Sequence, residues 1–421
     1  MNKPRLGRRI GLVGSILLAF NGAVGAGIFA LPGTLLADFG SFSPWLFPLV
    51  GAGALLIVWP FARSVAAFPE SGGPATYGRA FGRLPGFELG WIYYISRAAA
   101  FAANANVLTA YVARWWTGAD QGLARAALIV AVTGVFAAVN IAGVRRSLRL
   151  LGGLTVLKVL PLLLFSVAAI LLAFPPPSPG PPPPLGALET GVLVVFYAFI
   201  GFENATVPAG ETRRPETALP RAILTTLAAM TLLYFLVQLA FIMALPGGGT
   251  DDKAPLIDLG GHVAGLAGVT IITLTVIASL AGNLHSNLAC TPRLTYAMAE
   301  RGDLPRWFGA VSDRFHTPAR SIGFMAVLAA VLALSGSFVL LAAVSVLSRL
   351  FVYAVTIAAL PRAPGRPRQT LSHWISGAFG IAVCVWAAAQ ADGKAWTTLG
   401  VLAVAGLILY AFANAFRIRT V

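Results

Sequence analysis

The sequence predicts an all-α membrane protein with twelve spanning helices, and three observations carry that prediction. Apolar residues make up 57% of the 421-residue chain and charged residues only 11%, against about 25% charged in a soluble domain. A chain this apolar has too little polar surface to cover itself in water, so lipid is its natural solvent. Apolar runs near the roughly 20 residues a bilayer demands recur along the whole chain. The basic residues collect in alternate connections between those runs, the asymmetry expected of a multi-spanning protein.

The predicted spans run near 11–36, 44–68, 86–116, 123–142, 152–174, 188–210, 219–245, 262–298, 320–335, 338–361, 373–391 and 395–415. The ninth is short, and only Ser335-Gly336-Ser337 separates it from the tenth. With residues 1–10 in the cytoplasm, 23 of the 30 basic residues fall inside and four outside (Arg114, Arg125, Lys253 and Lys394). An odd number of spans would scramble that asymmetry, so both termini are expected in the cytoplasm of a cell inner (plasma) membrane protein. Arg97, Lys158 and Arg349 remain within spans. The loop at 175–187 is proline-rich; it is expected to be extended, stiff and extracytoplasmic, a spacer between the fifth and sixth spans. Residues 362–421 hold the last two spans and a short tail.

The net charge of +15 could suggest nucleic acid, but the basic residues sit in short loops rather than on one soluble domain, so no nucleic-acid partner is expected. Cys290 and Cys384 both lie in apolar runs and imply no metal or disulfide framework. The first apolar run is too long for a signal-peptide core and is expected to be a retained span.

Two spans carry interruptions. In the first, Gly22-Ala23-Val24-Gly25-Ala26-Gly27 places three glycines within six residues in mid-membrane; in the sixth, Phe199-Ile200-Gly201-Phe202-Glu203-Asn204 places a glycine, a carboxylate and an amide there. Glycine lowers helix stability by about 1 kcal/mol relative to alanine and lets a ligand come close to the backbone. Breaks in the first and sixth spans are the layout of two inverted five-helix repeats, here 11–174 and 188–361, and matched breaks are a sequence pointer to a transporter site. Unwound backbone in lipid must satisfy its N–H and C=O groups. N–H groups after Gly25 suit a carboxylate at a helix start, and carbonyls near Gly22, Ala23, Phe199 and Ile200 suit an ammonium. The breaks therefore read as a head-group site for an amino acid.

Four stretches resemble the amino acid–polyamine–organocation (APC) superfamily: GAVGAGIFALPG, YAFIGFENATVPAGETRRPETALPRAI, CTPRLTYAMAERGDLP and SGSFVLLAAVSVLSRLFVYAVTIAALPR. The resemblance covers residues 11–361 and implies the leucine-transporter-type five-plus-five inverted repeat, working by alternating access. It implies that Gly25, Ala26 and Gly27 bind the substrate carboxylate, that Tyr197 stands where related antiporters carry an aromatic gate, and that Glu203 is the family's sixth-helix glutamate. Ala26 replaces a serine common at that point, and Tyr197 replaces the tryptophan typical of basic-amine antiporters.

Ionisable residues inside a membrane are costly and are functional candidates by default. Lys158 resembles the fifth-helix lysine that replaces a bound sodium ion in sodium-independent relatives, bridging the first and eighth helices. Ser279, Asn283, Ser286 and Asn287 fall on one face of the eighth span, and Asn283 and Ser286 complete the expected ion-site surrogate, with proton coupling as one use of it. Arg97 is expected to pair with Glu203 or to meet an acidic substrate, and Arg349 to reach the inside surface or a helix end, with no functional role. Phe101, Asn104, Phe202 and Asn287 are expected along the side-chain pocket, and His285 to serve as a structural hydrogen-bonder.

The chain has no Walker loop, no His/Glu metal motif and no nucleophile–base pair, so neither an enzyme nor a cofactor is expected. A nutrient sensor usually adds a large tail and a channel a continuous polar lining; neither stands out. The expectation is a sodium-independent amino acid carrier, proton-coupled or an exchanger, acting as a monomer or homodimer. Neutral side chains are favoured, with polyamine, basic or acidic substrates as the alternative.

Overall fold

The computed structural model describes residues 8–25, 27–113, 115–178, 180–248, 255–335, 338–364, 369–391 and 393–418. Among them the protein is helical throughout, with one isolated bridge, Ile10 to Thr212, as its only extended pairing. The first span is two helices, α1 (Leu12–Ala23) and α2 (Gly27–Phe39). After them come α3 (Leu46–Ala66), the short α4 (Gly73–Gly78), α5 (Arg83–Val112), α6 (Gly122–Ile141) and α7 (Val144–Leu172). The second half holds α8 (Leu185–Phe199), α9 (Pro215–Ala244), α10 (Pro255–Cys290), α11 (Pro292–Glu300), α12 (Ala319–Ser335), α13 (Phe338–Ala359), α14 (Leu371–Ala389) and α15 (Gly393–Ile418). Eight stretches of the described residues are long and apolar enough to cross a bilayer by length and composition, and α1 and α12 are shorter apolar helices.

The helices are amphipathic in the sense lipid requires. On α7, Val156, Leu157, Leu160 and Leu164 are each more than half exposed, whereas Lys158, Leu162, Ser166 and Ala169 on the opposite face are buried. Apolar side chains face outward because lipid solvates them; polar ones turn inward because only protein can satisfy them. α5 is buried along most of its length and carries Ser96, Arg97 and Asn104, and it packs against α13, α4, α10 and α12. Its polar content keeps it out of the most apolar stretches, yet it sits at the centre of the bundle.

Three spans differ in their boundaries from the sequence expectation. The fifth span begins near Val144 rather than 152. The eighth does not run to 298: it ends at Cys290, and Pro292 opens the separate α11. At the other end α10 is broken at Ala264 and Gly265, whose φ of +56° folds 255–263 back so that Gly260 packs on Gly268. The sixth span does not continue as α-helix to 210, since the chain makes only 3₁₀ turns at Phe202–Thr206 and Ala209–Glu211.

On the predicted cytoplasmic side, loops and helix ends are tied together. Asp303 takes Arg79 at 3.0 Å and Arg83 at 2.7 Å, and Arg293 pairs with Glu211. The Ile10 amide donates to the Glu211 carbonyl (2.9 Å), and the Arg213 amide to the Ile10 carbonyl (2.8 Å).

Candidate functional site

The two interruptions predicted from glycine are real breaks in the backbone, and they touch. α1 stops at Ala23, and Val24 is extended (φ −72°, ψ 92°). α8 stops at Phe199, and Gly201 adopts φ +126°, a conformation L side chains rarely enter. A Cβ placed on Gly22 would sit 2.6 Å from the Gly201 carbonyl oxygen; one on Gly201 would sit 2.2 Å from that of Gly22. Only glycine at both positions allows the two chains to meet. The first N–H groups of α2, from Gly27 on, have no partner inside that helix. Ala26 and the side chain of Tyr197 lie outside the described residues, as does any contact they make.

The opened backbone of the first span is held by polar side chains of α7 and α10. Lys158, fully buried, donates from Nζ to the Val24 carbonyl at 3.2 Å, and Ser279 Oγ donates to the same oxygen at 3.4 Å. The Phe20 ring lies 5.3 Å from the ammonium. Asn283 Nδ2 donates to the Gly22 carbonyl (3.0 Å) and Ser286 Oγ to the Leu18 carbonyl (3.0 Å). Serines and an asparagine at helical spacing on α10 thus meet acceptors along α1 and at the break that follows it. Asn287 turns instead to α5 and donates to the Arg97 carbonyl at 2.8 Å. The Gly22 carbonyl, expected to be free for an ammonium, already accepts one hydrogen bond.

The break in α8 is held from its own side. Glu203 Oε2 accepts from the Gly201 amide (3.0 Å) and from the Tyr353 hydroxyl (2.6 Å), while Oε1 accepts from Tyr93 at 3.4 Å. Arg97 approaches Oε1 at 3.8 Å, as the sequence led one to expect. Arg349 does so at 3.4 Å, which corrects the expectation that it reaches the inside surface: it is buried in the same cluster. Asn204 Nδ2 donates to Ser286 Oγ (2.8 Å), linking this break through α10 to α1.

Around the breaks, Phe202 stacks on Tyr353 (centroids 5.4 Å apart) and meets Phe61 edge-on, and Phe199 meets Tyr234 edge-on. Asn104 Oδ1 lies 3.0 Å from the point a Gly25 Cβ would occupy. Phe101 is buried on the same helix. His285 is set apart, its ring nitrogens 3.2 Å from Asn140 Nδ2 and 3.0 Å from Ser147 Oγ. Tyr93, Tyr353, Asn204 and Arg349 belong to the site but were not singled out as site residues from sequence. Their signal is weak, because tyrosine and asparagine in an apolar run read as packing; only Arg349, an unexplained charge in a span, carried a usable one.

Polar groups gathered where two interrupted helices meet, inside a many-spanning apolar bundle, mark an integral membrane protein of the transporter class. The chain belongs to the amino acid permease family, whose profile matches residues 10–416, as the sequence resemblance implied. It is 29% identical to an uncharacterized transporter of Mycobacterium tuberculosis, over 78% of this chain and 74% of the relative. It is 26% identical to a branched-chain amino acid permease of Bacillus subtilis (78% and 74%) and 25% identical to an aromatic amino acid transport protein of Corynebacterium glutamicum (73% and 69%).

Proposed function

We propose that the protein is a sodium-independent secondary carrier that moves amino acids across the cell inner membrane by alternating access. The observation that carries this reading is the meeting of the two breaks at Gly22 and Gly201 beside a buried lysine bonded to the Val24 carbonyl. In this reading twelve spans form two inverted five-helix repeats, 11–174 and 188–361, followed by two further helices.

The substrate α-carboxylate sits on the N–H groups of Gly25, Ala26 and Gly27, where the α2 dipole favours negative charge. Its ammonium takes the carbonyls of Ala23, Phe199 and Ile200 and the second lone pair of the Gly22 carbonyl. Tyr197 is the candidate aromatic gate by its place in the sequence, and Phe202, Asn287 and Arg97 stand on the side-chain flank. Lys158 and Ser279 converge on one carbonyl of the break, and Asn283 and Ser286 hold the neighbouring turn. A fixed ammonium in that place satisfies the exposed carbonyl without a metal ion, which supports sodium independence. Relatives named for branched-chain and aromatic amino acids support an amino acid as cargo.

The test is flux of radiolabelled amino acids into proteoliposomes holding the purified protein. Uptake accelerated by preloaded substrate, in buffers free of sodium, is the expected result; an imposed pH gradient then separates proton coupling from exchange. Strict dependence on sodium, or binding with no flux, would overturn the reading.

A further inference from the structure

We infer that the side-chain end of the substrate site is built for an anion, so that the cargo is an amino acid whose side chain carries a carboxylate. This rests on the carrier reading above and departs from the neutral side chains favoured by sequence.

The charges in the cluster do not balance. Arg97 and Glu203 have no exposed side-chain surface and Arg349 has 6%, so two guanidinium groups share one carboxylate. The remaining titratable groups against Arg97 are the Tyr93 hydroxyl and the Cys290 thiol, which are uncharged in water at pH 7. None of the three guanidinium nitrogens of Arg97 has a hydrogen-bond partner among the described residues, and Arg349 Nε also lacks one. Nor can Glu203 serve both arginines well, because Oε2 is occupied by Gly201 and Tyr353 and Oε1 is approached loosely from three directions. A buried cation with its donors unpaired is costly. A fold that retains one beside a binding site has a use for it when an acceptor arrives, and a guanidinium suits a carboxylate through two parallel N–H bonds.

The position fits. The carboxylate that Arg97 faces bonds the Gly201 amide, and Gly201 lies against Gly22, so the cluster adjoins the proposed head-group site directly. On α5, Asn104 stands against Gly25, and Arg97 lies seven residues before it. That is nearly two turns on the same face, about 10 Å along the helix. On α10, Asn283 bonds the first break and Asn287, one turn on, bonds the Arg97 carbonyl. A substrate held by its head group at the breaks would direct its side chain along this wall toward unpaired guanidinium donors.

The inference is tested by thermal melting of the purified full-length protein in chloride-free buffer with L-glutamate, L-glutamine, L-leucine or added chloride. L-Glutamate is expected to raise the melting temperature at concentrations at least tenfold below L-glutamine, its uncharged match in shape. Arg97→Gln is expected to remove that preference while melting no lower than wild type without ligand, because Arg349 and Glu203 then balance. Equal or better stabilisation by L-glutamine would overturn the inference, and so would a full shift from chloride alone, which would make the anion inorganic. The wild-type comparison stands even if the variant does not fold. Counterflow of neutral amino acids with no glutamate preference sinks this inference and leaves the carrier; no binding or flux of any amino acid sinks the carrier reading and this inference with it.

Discussion

Gly22 and Gly201 carry the heaviest constraint on single residues, because each has the other's backbone where its own Cβ would lie. Gly201→Ala forces a methyl into a backbone oxygen and an L residue into a φ reserved for glycine. Such backbone strain costs roughly 1–2 kcal/mol and overpacking about 1–3 kcal/mol. The expected outcome is a lower melting temperature and loss of counterflow; a variant that transports normally would show the breaks need not touch. Lys158 gives a second test at this scale. Lys158→Met keeps the volume and removes the ammonium from the Val24 carbonyl, so uptake is expected to fall to background at every pH. Glu203 and Arg97 were legible as a pair because charges in lipid are few and must find each other. Arg349 was misplaced because a lone charge in a span can reach outward along its stem as well as pair inside, and only the packing of α13 on α5 decides between these.

At the scale of elements, α10 shows how a polar stripe can be read correctly and still leave its partners open. Spacing placed Ser279, Asn283, Ser286 and Asn287 on one face, but the backbone groups they reach, in α1 and the break after it for three and on α5 for the last, follow from helix packing. The same helix carries His285 on another side, where Asn140 of α6 and Ser147 of α7 close a buried network. His285→Phe removes the ring's bonds to both, while Asn140 Nδ2 keeps the Phe136 carbonyl and Ser147 Oγ keeps Asn140 Oδ1, so the cost is that of lost hydrogen bonds, about 0.5–1.5 kcal/mol each. The expected outcome is a lower melting temperature with substrate affinity within twofold of wild type; an affinity loss of tenfold or more would mean the network belongs to the site. The fold-back at Gly265 escaped the hydropathy reading because apolar residues continue across it, whereas the end of α10 at Cys290 is marked by Thr291-Pro292-Arg293, which the expected span overran.

Across the whole molecule, ion pairs and backbone hydrogen bonds on the predicted cytoplasmic side couple segments far apart in the chain: Arg79 and Arg83 to Asp303, Arg293 to Glu211, and Ile10 to the Glu211–Arg213 segment. Alternating access requires such a seal to form and release. Asp303→Asn removes the one carboxylate that both arginines reach, so the seal should loosen. In inside-out vesicles a membrane-impermeant thiol reagent is then expected to label the buried Cys290 severalfold faster than in wild type. An unchanged rate would assign Asp303 to local stability alone.

Composition and pattern alone were enough for the solvent, the helical class, the placement of the two breaks and the family resemblance. Each depends on a local rule: apolar length, charge in loops, glycine in a helix. Which groups fill the breaks was decided in three dimensions. Lys158 and Ser279 meet at one carbonyl, Asn283 occupies another, and two arginines crowd a single glutamate only when α5, α7, α10 and α13 pack around α1 and α8. The physical reason is that a polar group in a bilayer must find a partner somewhere in the fold, and the chain's local pattern states the need without naming the partner.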